Sequence, residues 1–204
     1  MPHPLQRAVA LIVLVLFAPL MICVATLIRV VDGGPVLFSQ TRIGYKREAF
    51  TLWKFRTMKN GADRELVYGV DPTSRLTRTG AALRRTALDE LPQLLNVVRG
   101  DMTGVGPRAL LPEVARNVPA QYDSRFDVLP GLTGLAQVSG RNSLPWSKRL
   151  ELDARYARHR SVRLDVSIAL RTFSTLATGA GFSADRNTEV VDDLGLLRPD
   201  DEQI

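Results

Sequence analysis

Hydrophobic residues are concentrated near the start of the chain, where no charged residue occurs between Arg7 and Arg29. An α-helix rises about 1.5 Å per residue, so a helix over this stretch is roughly 30 Å long and matches the hydrocarbon core of a bilayer. A cleaved secretory signal is the main alternative, but its apolar core is usually ~7 to 15 residues and ends at a small-residue cleavage site. The pattern therefore predicts a membrane helix.

The two ends of this helix carry the same sign of charge. Arg7 precedes it, and Arg29 and Arg42 follow it, so the positive-inside rule gives little reason to place the ends in different compartments. Pro19 lies near the middle, where it removes a backbone hydrogen bond and bends the helix. The pattern alone leaves two topologies open: a single span, the commoner outcome, and a helix that enters and returns on the same side.

Shorter elements follow the membrane helix. Residues 35–58 hold two β-prone runs around the polar "RIGYKRE", which predicts a β-hairpin. Residues 60–80 are polar and turn-rich and predict a surface loop with a short helix. A helix of about ten residues is expected to begin at Asp89 and to end at Gly100, a residue type favoured just after helix ends.

Helical patterning dominates from Trp146 to Ala177, with a break near "HRSVR". The segment "VRLDVSIAL" also alternates with a period of two, so a strand competes with the helix there. A helix is favoured because apolar residues from Val162 to Phe173 share one helical face. The acidic tail after Gly181 has no clear periodicity and is expected to be loose.

Charge is segregated along the chain. The net charge is +6, but residues 177–204 contain seven acids and two arginines, so that tail carries −5 and the rest of the chain +11. A membrane helix followed by a basic domain indicates anionic lipid, a phosphorylated substrate, or both. No nucleic-acid partner is expected, because no helix-turn-helix, zinc-finger or aromatic RNA-binding signature accompanies the charge. Cys23 is the sole cysteine and excludes an intrachain disulfide, which fits a cytoplasmic domain.

The candidate chemistry is centred on two adjacent carboxylates, Asp89 and Glu90. Their plainest interpretation is helix capping, since a carboxylate is favourable beside the unpaired amides of a helix start. Arg84 and Arg85 before the pair, and Arg108 in the glycine-rich "TGVGPR" after it, add groups suited to holding phosphate oxygens. Together with the membrane helix, they favour phosphoryl transfer near a lipid surface.

A carboxylate can attack phosphorus and form an acyl phosphate, which divides one difficult transfer into two easier ones. Reaction between anions generally needs a divalent cation, and Asp89 and Glu90 offer the oxygen ligands that Mg²⁺ prefers. His159, among arginines, is expected to be a solvated helix residue and not a general base. Nucleotide-binding fingerprints such as G-x-x-x-x-G-K-[ST] do not occur.

Four motifs, in order, resemble one family. They are "KFRTM" (54–58), "LDELPQLLNVVRGDMTGVGPR" (88–108), "PGLTGLAQVSGRN" (130–142) and "LDARYARHRSVRLDVSIALRT" (152–172). The chain resembles the bacterial sugar transferases, that is, the monotopic polyprenyl-phosphate phosphoglycosyl transferases, in their short form with the catalytic unit alone. The similarity extends over nearly the whole chain, from about residue 5 to 176.

The resemblance implies roles for individual residues. Asp89 is expected to be the nucleophile that attacks the β-phosphate of a UDP-sugar and releases UMP, after which undecaprenyl phosphate takes the phosphosugar. Glu90 is expected to assist metal binding or to position the pair, and Mg²⁺ is the expected cofactor. The residues expected to contact substrate are Lys54, Arg56, Arg85, Arg108 and Asp153.

The resemblance also implies an architecture. We expect a predominantly helical α+β fold with a re-entrant membrane helix (1–32), a cytoplasmic catalytic domain (33–180) with a small β-hairpin and amphipathic interfacial helices, and an acidic tail (181–204). The expected location is the bacterial inner membrane with the catalytic domain facing the cytoplasm, in contact with membrane lipids and compatible with a homodimer. Trp53 and Trp146 are candidate interfacial anchors, with ordinary packing as the alternative.

The chain departs from the family pattern at two points. The family's Ser-Pro break is Ala18-Pro19 here, which removes a hydroxyl from the bend. The family's Pro-Arg-Pro is Pro107-Arg108-Ala109 here, which loosens the loop that carries Arg108. The sequence names neither the sugar nor the glycan pathway. A rival of another class is a membrane-tethered basic module that binds lipid or nucleic acid without catalysis.

Overall fold

The computed structural model describes residues 4–59, 75–140, 143–178 and 192–196. Seven α-helices and four short strands lie in these ranges. The helices are α1 (Pro4–Val31), α2 (Gly80–Arg85), α3 (Leu94–Arg99), α4 (Pro112–Arg116), α5 (Leu135–Val138), α6 (Trp146–Arg158) and α7 (Val162–Thr178). The strands are β1 (Leu37–Ile43), β2 (Ala49–Phe55), β3 (Thr103–Val105) and β4 (Gly131–Thr133). The predominantly helical α+β prediction is confirmed.

Helix α1 is continuous over 28 residues with Pro19 inside it. Among the described residues it is the one helix long and apolar enough to cross a membrane. Most of its large apolar side chains are exposed, as expected of a helix that contacts lipid. The exposed ones are Leu5, Val9, Leu11, Ile12, Val15, Leu16, Phe17, Leu20, Ile22, Leu27, Val30 and Val31.

Both ends of α1 contact the rest of the protein. Near the start, Arg7 Nε donates to the carbonyl of Val98 at 2.8 Å. Near the end, Val24 and Ile28 are buried in a hydrophobic cluster that also contains Phe55. The middle of α1 lies between two attachments to one domain, so its two ends are held on the same side of the protein.

Strands β1 and β2 form the hairpin predicted over 35–58. They pair antiparallel, with Leu37 opposite Phe55 and Ile43 opposite Ala49. Along β2 the buried side chains of Leu52 and Phe55 face the core. The predicted loop 60–80 is described only in part: residues 60–74 lie outside the described ranges, and residues 75–77 pair with 57–59.

The helix predicted from Asp89 to Gly100 is divided in two. A 3₁₀ segment, Leu88–Gln93, precedes α3, which ends at Gly100 with φ of 100°. Pro92 lies inside the 3₁₀ segment; its missing N–H is tolerated near a helix start. The capping interpretation requires Asp89 at the N-cap, but that position is Ala87, which has the left-handed conformation. Asp89 lies in the first turn of the 3₁₀ segment.

The two glycine-rich loops of the sequence form one structure. Strands β3 and β4 pair in parallel, and Gly131 N donates to the carbonyl of Pro107 at 3.0 Å. A Cβ at Gly131 would lie 2.1 Å from Gly106 N, and one at Gly106 would lie 2.4 Å from Leu129 O. Glycine is required because the two backbones touch, and this contact fixes the loop that leads to Arg108.

Helices α6 and α7 confirm the predicted break after Arg158, and the competing strand over "VRLDVSIAL" is wrong. Trp146 packs against the hydrophobic cluster around Leu150, so ordinary packing accounts for its position.

On α7, Ile168 is buried. The opposite face of α7 is apolar and exposed. Its members are Val162, Val166, Leu170 and Phe173.

Part of the C-terminal tail is docked and not loose. Residues 192–196 fold back against α6, and Leu196 is buried in the cluster around Leu150. The expectation of a loose tail is wrong for these five residues. The rest of the tail lies outside the described part of the chain.

Candidate active site

Glu90 is held by two cations from distant parts of the chain. Lys54 Nζ, on β2, lies 3.0 Å from Glu90 Oε1, and Arg108 Nη2, in the loop after β3, lies 2.9 Å from the same oxygen. Burial favours protonation, but Arg108 and Lys54 outweigh it and hold the pKa of Glu90 well below its usual range. Glu90 is therefore an ionised anchor for both cations.

Asp89 has a different environment, although it is the adjacent residue. Its side chain is 7% exposed. In the part of the chain that the structure describes, it takes part in no hydrogen bond or ion pair. Burial raises the pKa of Asp89 above its usual value, while the positive charge of Lys54 opposes the shift. Its oxygens are uncommitted and lie in the field of the cations that Glu90 holds.

The 3₁₀ segment explains how neighbours acquire different surroundings. With three residues per turn, successive side chains project about 120° apart. Glu90 therefore makes both ion pairs, whereas Asp89 makes neither although the same cations lie near it. Both lie in the first turn of the segment, where unpaired amides favour negative charge.

The predicted cations Lys54 and Arg108 are both in this cluster. Burial lowers the pKa of Lys54, and Glu90 opposes the shift. Glu90 raises the pKa of Arg108, whose side chain is 47% exposed, so solvent weakens that attraction. Two cations and two carboxylates give the cluster little net charge. An incoming diphosphate would therefore have to compete with Glu90 for Arg108 or share Arg108 with it.

Sequence analysis missed a further arginine, Arg42 on β1. Its Nη1 donates to the carbonyl of Ala109 at 3.3 Å and its Nη2 to Gln40 Oε1 at 2.7 Å. Burial and the nearby charge of Arg108 lower the pKa of Arg42 to about 10. Arg42 holds the loop at the residue after Arg108. The sequence signal for it is a charged residue within a strand of alternating pattern.

Two other predicted residues lie outside the cluster. The Arg56 guanidinium is buried and donates to the carbonyls of Asp32, Gly33 and Gly34 at 2.7, 2.9 and 2.6 Å. It closes the turn that follows α1. Arg85, at the end of α2, is exposed and makes no hydrogen bond or ion pair in the described residues. Arg56 is committed to backbone carbonyls, and the predicted contact of both residues with substrate stays a prediction.

Asp153 is the third predicted residue placed elsewhere. It is 4% exposed, and its Oδ2 accepts a hydrogen bond from Arg125 Nη2 at 2.9 Å. Burial raises the pKa of Asp153, and Arg125 opposes the shift. Arg125 is also buried, and its Nη2 donates to the carbonyl of Arg108 at 2.7 Å. Asp153 is thus linked to the Arg108 loop through Arg125, and its predicted contact with substrate stays a prediction.

The donor set limits how a metal ion would bind. Within the described residues no group of three or more His, Cys, Asp and Glu side chains could hold a metal. Two adjacent carboxylates fit Mg²⁺ when substrate phosphates and water complete its shell, which is a common arrangement for this ion. The residues fit a shared magnesium ion and not an all-protein cage. His159 is exposed at the end of α6, as predicted.

Comparison with known proteins agrees with this geometry. The family described as "Bacterial sugar transferase" matches residues 3–179. The chain is 42% identical over 154 residues to the uncharacterized sugar transferase EpsL of Bacillus subtilis (strain 168), which covers 76% of each chain. It is 34% identical over 188 residues to the exopolysaccharide production protein ExoY of Rhizobium meliloti (strain 1021), covering 84% of this chain and 83% of ExoY.

A longer relative carries a more specific name. The UDP-glucose:undecaprenyl-phosphate glucose-1-phosphate transferase of Escherichia coli (strain K12) is 38% identical over 172 residues, which are 80% of this chain and 37% of that protein. The family match includes both carboxylates, both cations around Glu90, and α1. The match covers nearly the whole described length of the chain, and the paired Glu90 and unpaired Asp89 lie within it. The protein belongs to the bacterial sugar transferase family.

Proposed function

We propose that this protein transfers a phosphosugar from a UDP-sugar to undecaprenyl phosphate, releasing UMP and forming an undecaprenyl-diphosphate-linked sugar. The names of the E. coli relative and of the UDP-N-acetylgalactosamine-undecaprenyl-phosphate N-acetylgalactosaminephosphotransferase of Aeromonas hydrophila support this substrate pair. The observation that supports the proposal most directly is the difference in bonding between the two carboxylates. Glu90 forms ion pairs with two cations, whereas the Asp89 carboxylate forms none within the described residues and is free to react.

In the first half-reaction a carboxylate oxygen of Asp89 attacks the β-phosphorus of the donor. The bond from Asp89 to phosphorus forms as the bond from phosphorus to the bridging oxygen breaks, and UMP leaves with the electron pair. Lys54 and Arg108 lie where they can neutralise the phosphate oxygens, and charge-assisted hydrogen bonds of this kind are stronger than neutral ones.

In the second half-reaction an oxygen of undecaprenyl phosphate attacks the same phosphorus. The acyl-phosphate bond breaks, and the electron pair returns to Asp89 as a carboxylate, so no net proton transfer is required. No step therefore calls for His159, which is exposed at the end of α6. Magnesium, held by Asp89, Glu90 and the diphosphate, would supply charge neutralisation at the phosphate oxygens.

The membrane placement follows from α1 and α7. Both ends of α1 contact one domain, through Arg7 and through Ile28, which supports a helix that returns to the side it entered. The exposed apolar face of α7 is suited to lie in the interface beside it. We propose that these helices hold the catalytic domain on the cytoplasmic face of the bacterial inner membrane, at the depth of the acceptor's phosphate.

The decisive experiment compares Asp89→Asn with the wild type in UMP release from UDP-sugars, with Mg²⁺ and undecaprenyl phosphate. Asp127→Asn is a matched control, because Asp127 is exposed and its side chain makes no hydrogen bond or ion pair within the described residues. We expect Asp89→Asn to lose at least ~10³-fold in rate and Asp127→Asn to lose nothing. A wild-type protein that binds lipid and releases no UMP from any donor would instead support a binding module.

A further inference from the structure

Residues 192–196 lie beyond the part of the chain that matches the family, which ends at residue 179. They are nevertheless docked on the catalytic domain. Leu196 is 3% exposed and shares a cluster with Leu150 on α6. The family match therefore assigns no role to this segment.

Asp193 supplies a cap that α6 lacks locally. The N-cap position of α6 is Pro145, which has no side-chain acceptor. Asp193 Oδ1 accepts from Ser147 N at 3.1 Å, and Oδ2 accepts from the Ser147 hydroxyl. Hydrogen bonds from Ser147 depress the pKa of Asp193 despite the opposing effect of burial. A distant carboxylate thus satisfies a free amide and places negative charge at the positive end of the helix.

A continuous set of contacts leads from this segment to the candidate active site. Leu196 packs in the cluster of Leu150, and Asp153 lies one turn further along α6. Asp153 is the buried partner of Arg125, whose Nη2 also binds the carbonyl of Arg108.

The loop that carries Arg108 is also held at Pro107 and Ala109, and the Arg125 hydrogen bond acts at the Arg108 carbonyl itself. The Arg108 side chain is half-exposed, so its own packing does little to fix it. The position of its guanidinium is set by its backbone and by Glu90. The following residue is Ala109, which has the backbone freedom that a proline would remove. A hydrogen bond to the Arg108 carbonyl from an arginine that α6 holds in place restricts that freedom.

We propose that Asp193 and Leu196 are positioning residues for Arg108: the C-terminal segment fixes α6, and α6 fixes the Arg125–Asp153 pair that holds the Arg108 loop. This inference rests on the proposed function, in which Arg108 binds the donor's phosphate. Loss of the segment should weaken donor binding and transfer without unfolding the domain.

The test compares Asp193→Ala and Leu196→Ala with two controls on the same helix and segment. Asp193→Asn keeps an oxygen acceptor for Ser147 and should behave like the wild type. Lys148→Ala removes an exposed ion pair with Glu151 on α6 itself and should also be silent. The readouts are kcat and KM for UMP release, thermal unfolding, and hydrogen exchange of the amides of residues 106–110.

Asp193→Ala and Leu196→Ala should lower kcat/KM for the UDP-sugar by about fivefold to tenfold, mostly through KM, because a displaced Arg108 holds the donor's phosphate less well. Amide exchange at residues 106–110 should accelerate in both. An unchanged kcat/KM and unchanged exchange, with only a lower Tm, would overturn the proposal, as would an equal effect of Lys148→Ala. If Leu196→Ala fails to fold, Asp193→Ala decides alone because its side chain is exposed.

This design separates the inference from the proposed function. A wild type without UMP release contradicts the function, and the exchange measurement then still tests the coupling from α6 to the Arg108 loop. A wild type that releases UMP, with variants equal to it in kcat/KM and exchange, contradicts the positioning role alone.

Discussion

Lys54 Nζ and Glu90 Oε1 lie 3.0 Å apart across 36 positions of sequence. This contact joins β2 to the 3₁₀ segment that carries both carboxylates, and the same Glu90 oxygen accepts from Arg108. Both contacts use Glu90 Oε1 and fix this side chain as an anchor, so the uncommitted carboxylate of the adjacent Asp89 is left as the reactive acid. The two acids therefore have separate duties, and each duty can be tested by substitution.

Glu90→Gln should abolish most activity while leaving the fold intact. It keeps the size of the side chain and removes the charge that holds Lys54 and Arg108, which would then repel each other and lose their geometry. We expect kcat/KM for UMP release to fall by at least ~10²-fold. Glu151→Gln is the control, since it also loses an ion pair with a lysine but at an exposed site. Equal activity of the two variants would contradict the anchoring role of Glu90.

Asp89→Asn should stabilise the protein at neutral pH while inactivating it. Burial raises the folded-state pKa of Asp89 above 3.8, its ordinary value in the unfolded chain. Between pH 3.8 and the folded-state pKa, the folded state therefore binds more protons than the unfolded state. Stability from this group is therefore present at low pH and lost as pH rises through the folded-state pKa. Removing the charge should raise the free energy of unfolding at pH 7 by about 1 kcal/mol, a typical size for relief at an active site, measured by denaturant titration in detergent. A variant less stable than wild type would contradict this.

The acid limb of the pH profile should report Asp89 and not Glu90. The nucleophile must be ionised, and its raised pKa places the loss of activity above the ordinary range of an aspartate. Glu90 has a depressed pKa and stays ionised throughout that limb. Its ionised form stabilises the fold above pH 4.5, and this stability is lost only as the pH falls through the lower folded-state pKa of Glu90. The pH profile of kcat/KM, from initial rates of UMP release at donor concentrations well below KM, measures this because it reports groups of the free enzyme. An acid limb at or below 3.8 would contradict the assignment.

Breaking the buried Arg125–Asp153 pair should be costly. Arg125→Met leaves Asp153 as a buried charge without its partner, and such a change typically costs ~3–5 kcal/mol. Replacing both residues, as Arg125→Met with Asp153→Leu, should cost less than the sum of the single changes. Denaturant titrations of the three variants form the cycle, and simple additivity would show that the pair is not coupled.

Single cysteines should report both ends of α1 on one side of the membrane. In a Cys23→Ala background, cysteines at Pro4 and at the exposed Ser39 should react with an impermeant thiol reagent in inside-out vesicles only. A control cysteine at Asp127 marks the catalytic domain. Labelling of the first two positions from opposite faces would contradict the re-entrant arrangement.

Several features follow from local sequence pattern. The hairpin of β1 and β2 and the break between α6 and α7 depend on periodicity and turn residues, which single segments display. Glu90 and Arg108 are predicted together because their residue types suit one chemistry, whereas Lys54 is predicted only from the family resemblance. The structure places both cations within 3.0 Å of one Glu90 oxygen.

Other features depend on contacts that no local pattern contains. Strands β3 and β4 have three residues each, too few to show a period, and they pair only because two distant glycine-rich loops meet. Arg56 and Asp153 have the residue types of a phosphate site, yet both are buried on backbone or side-chain partners far along the chain. The docking of Leu196 was missed because its acidic surroundings mask two leucines that reach the core.

The central claim is that Asp89 carries the phosphosugar between donor and acceptor. The direct test is intact-protein mass spectrometry after incubation with a UDP-sugar and Mg²⁺ in the absence of undecaprenyl phosphate, followed by peptide mapping. We predict an added mass equal to one phosphosugar, located on the peptide that contains Asp89, lost on addition of undecaprenyl phosphate and absent in Asp89→Asn. A protein that turns over with acceptor present but never gains this mass, or gains it on another residue, would contradict the account.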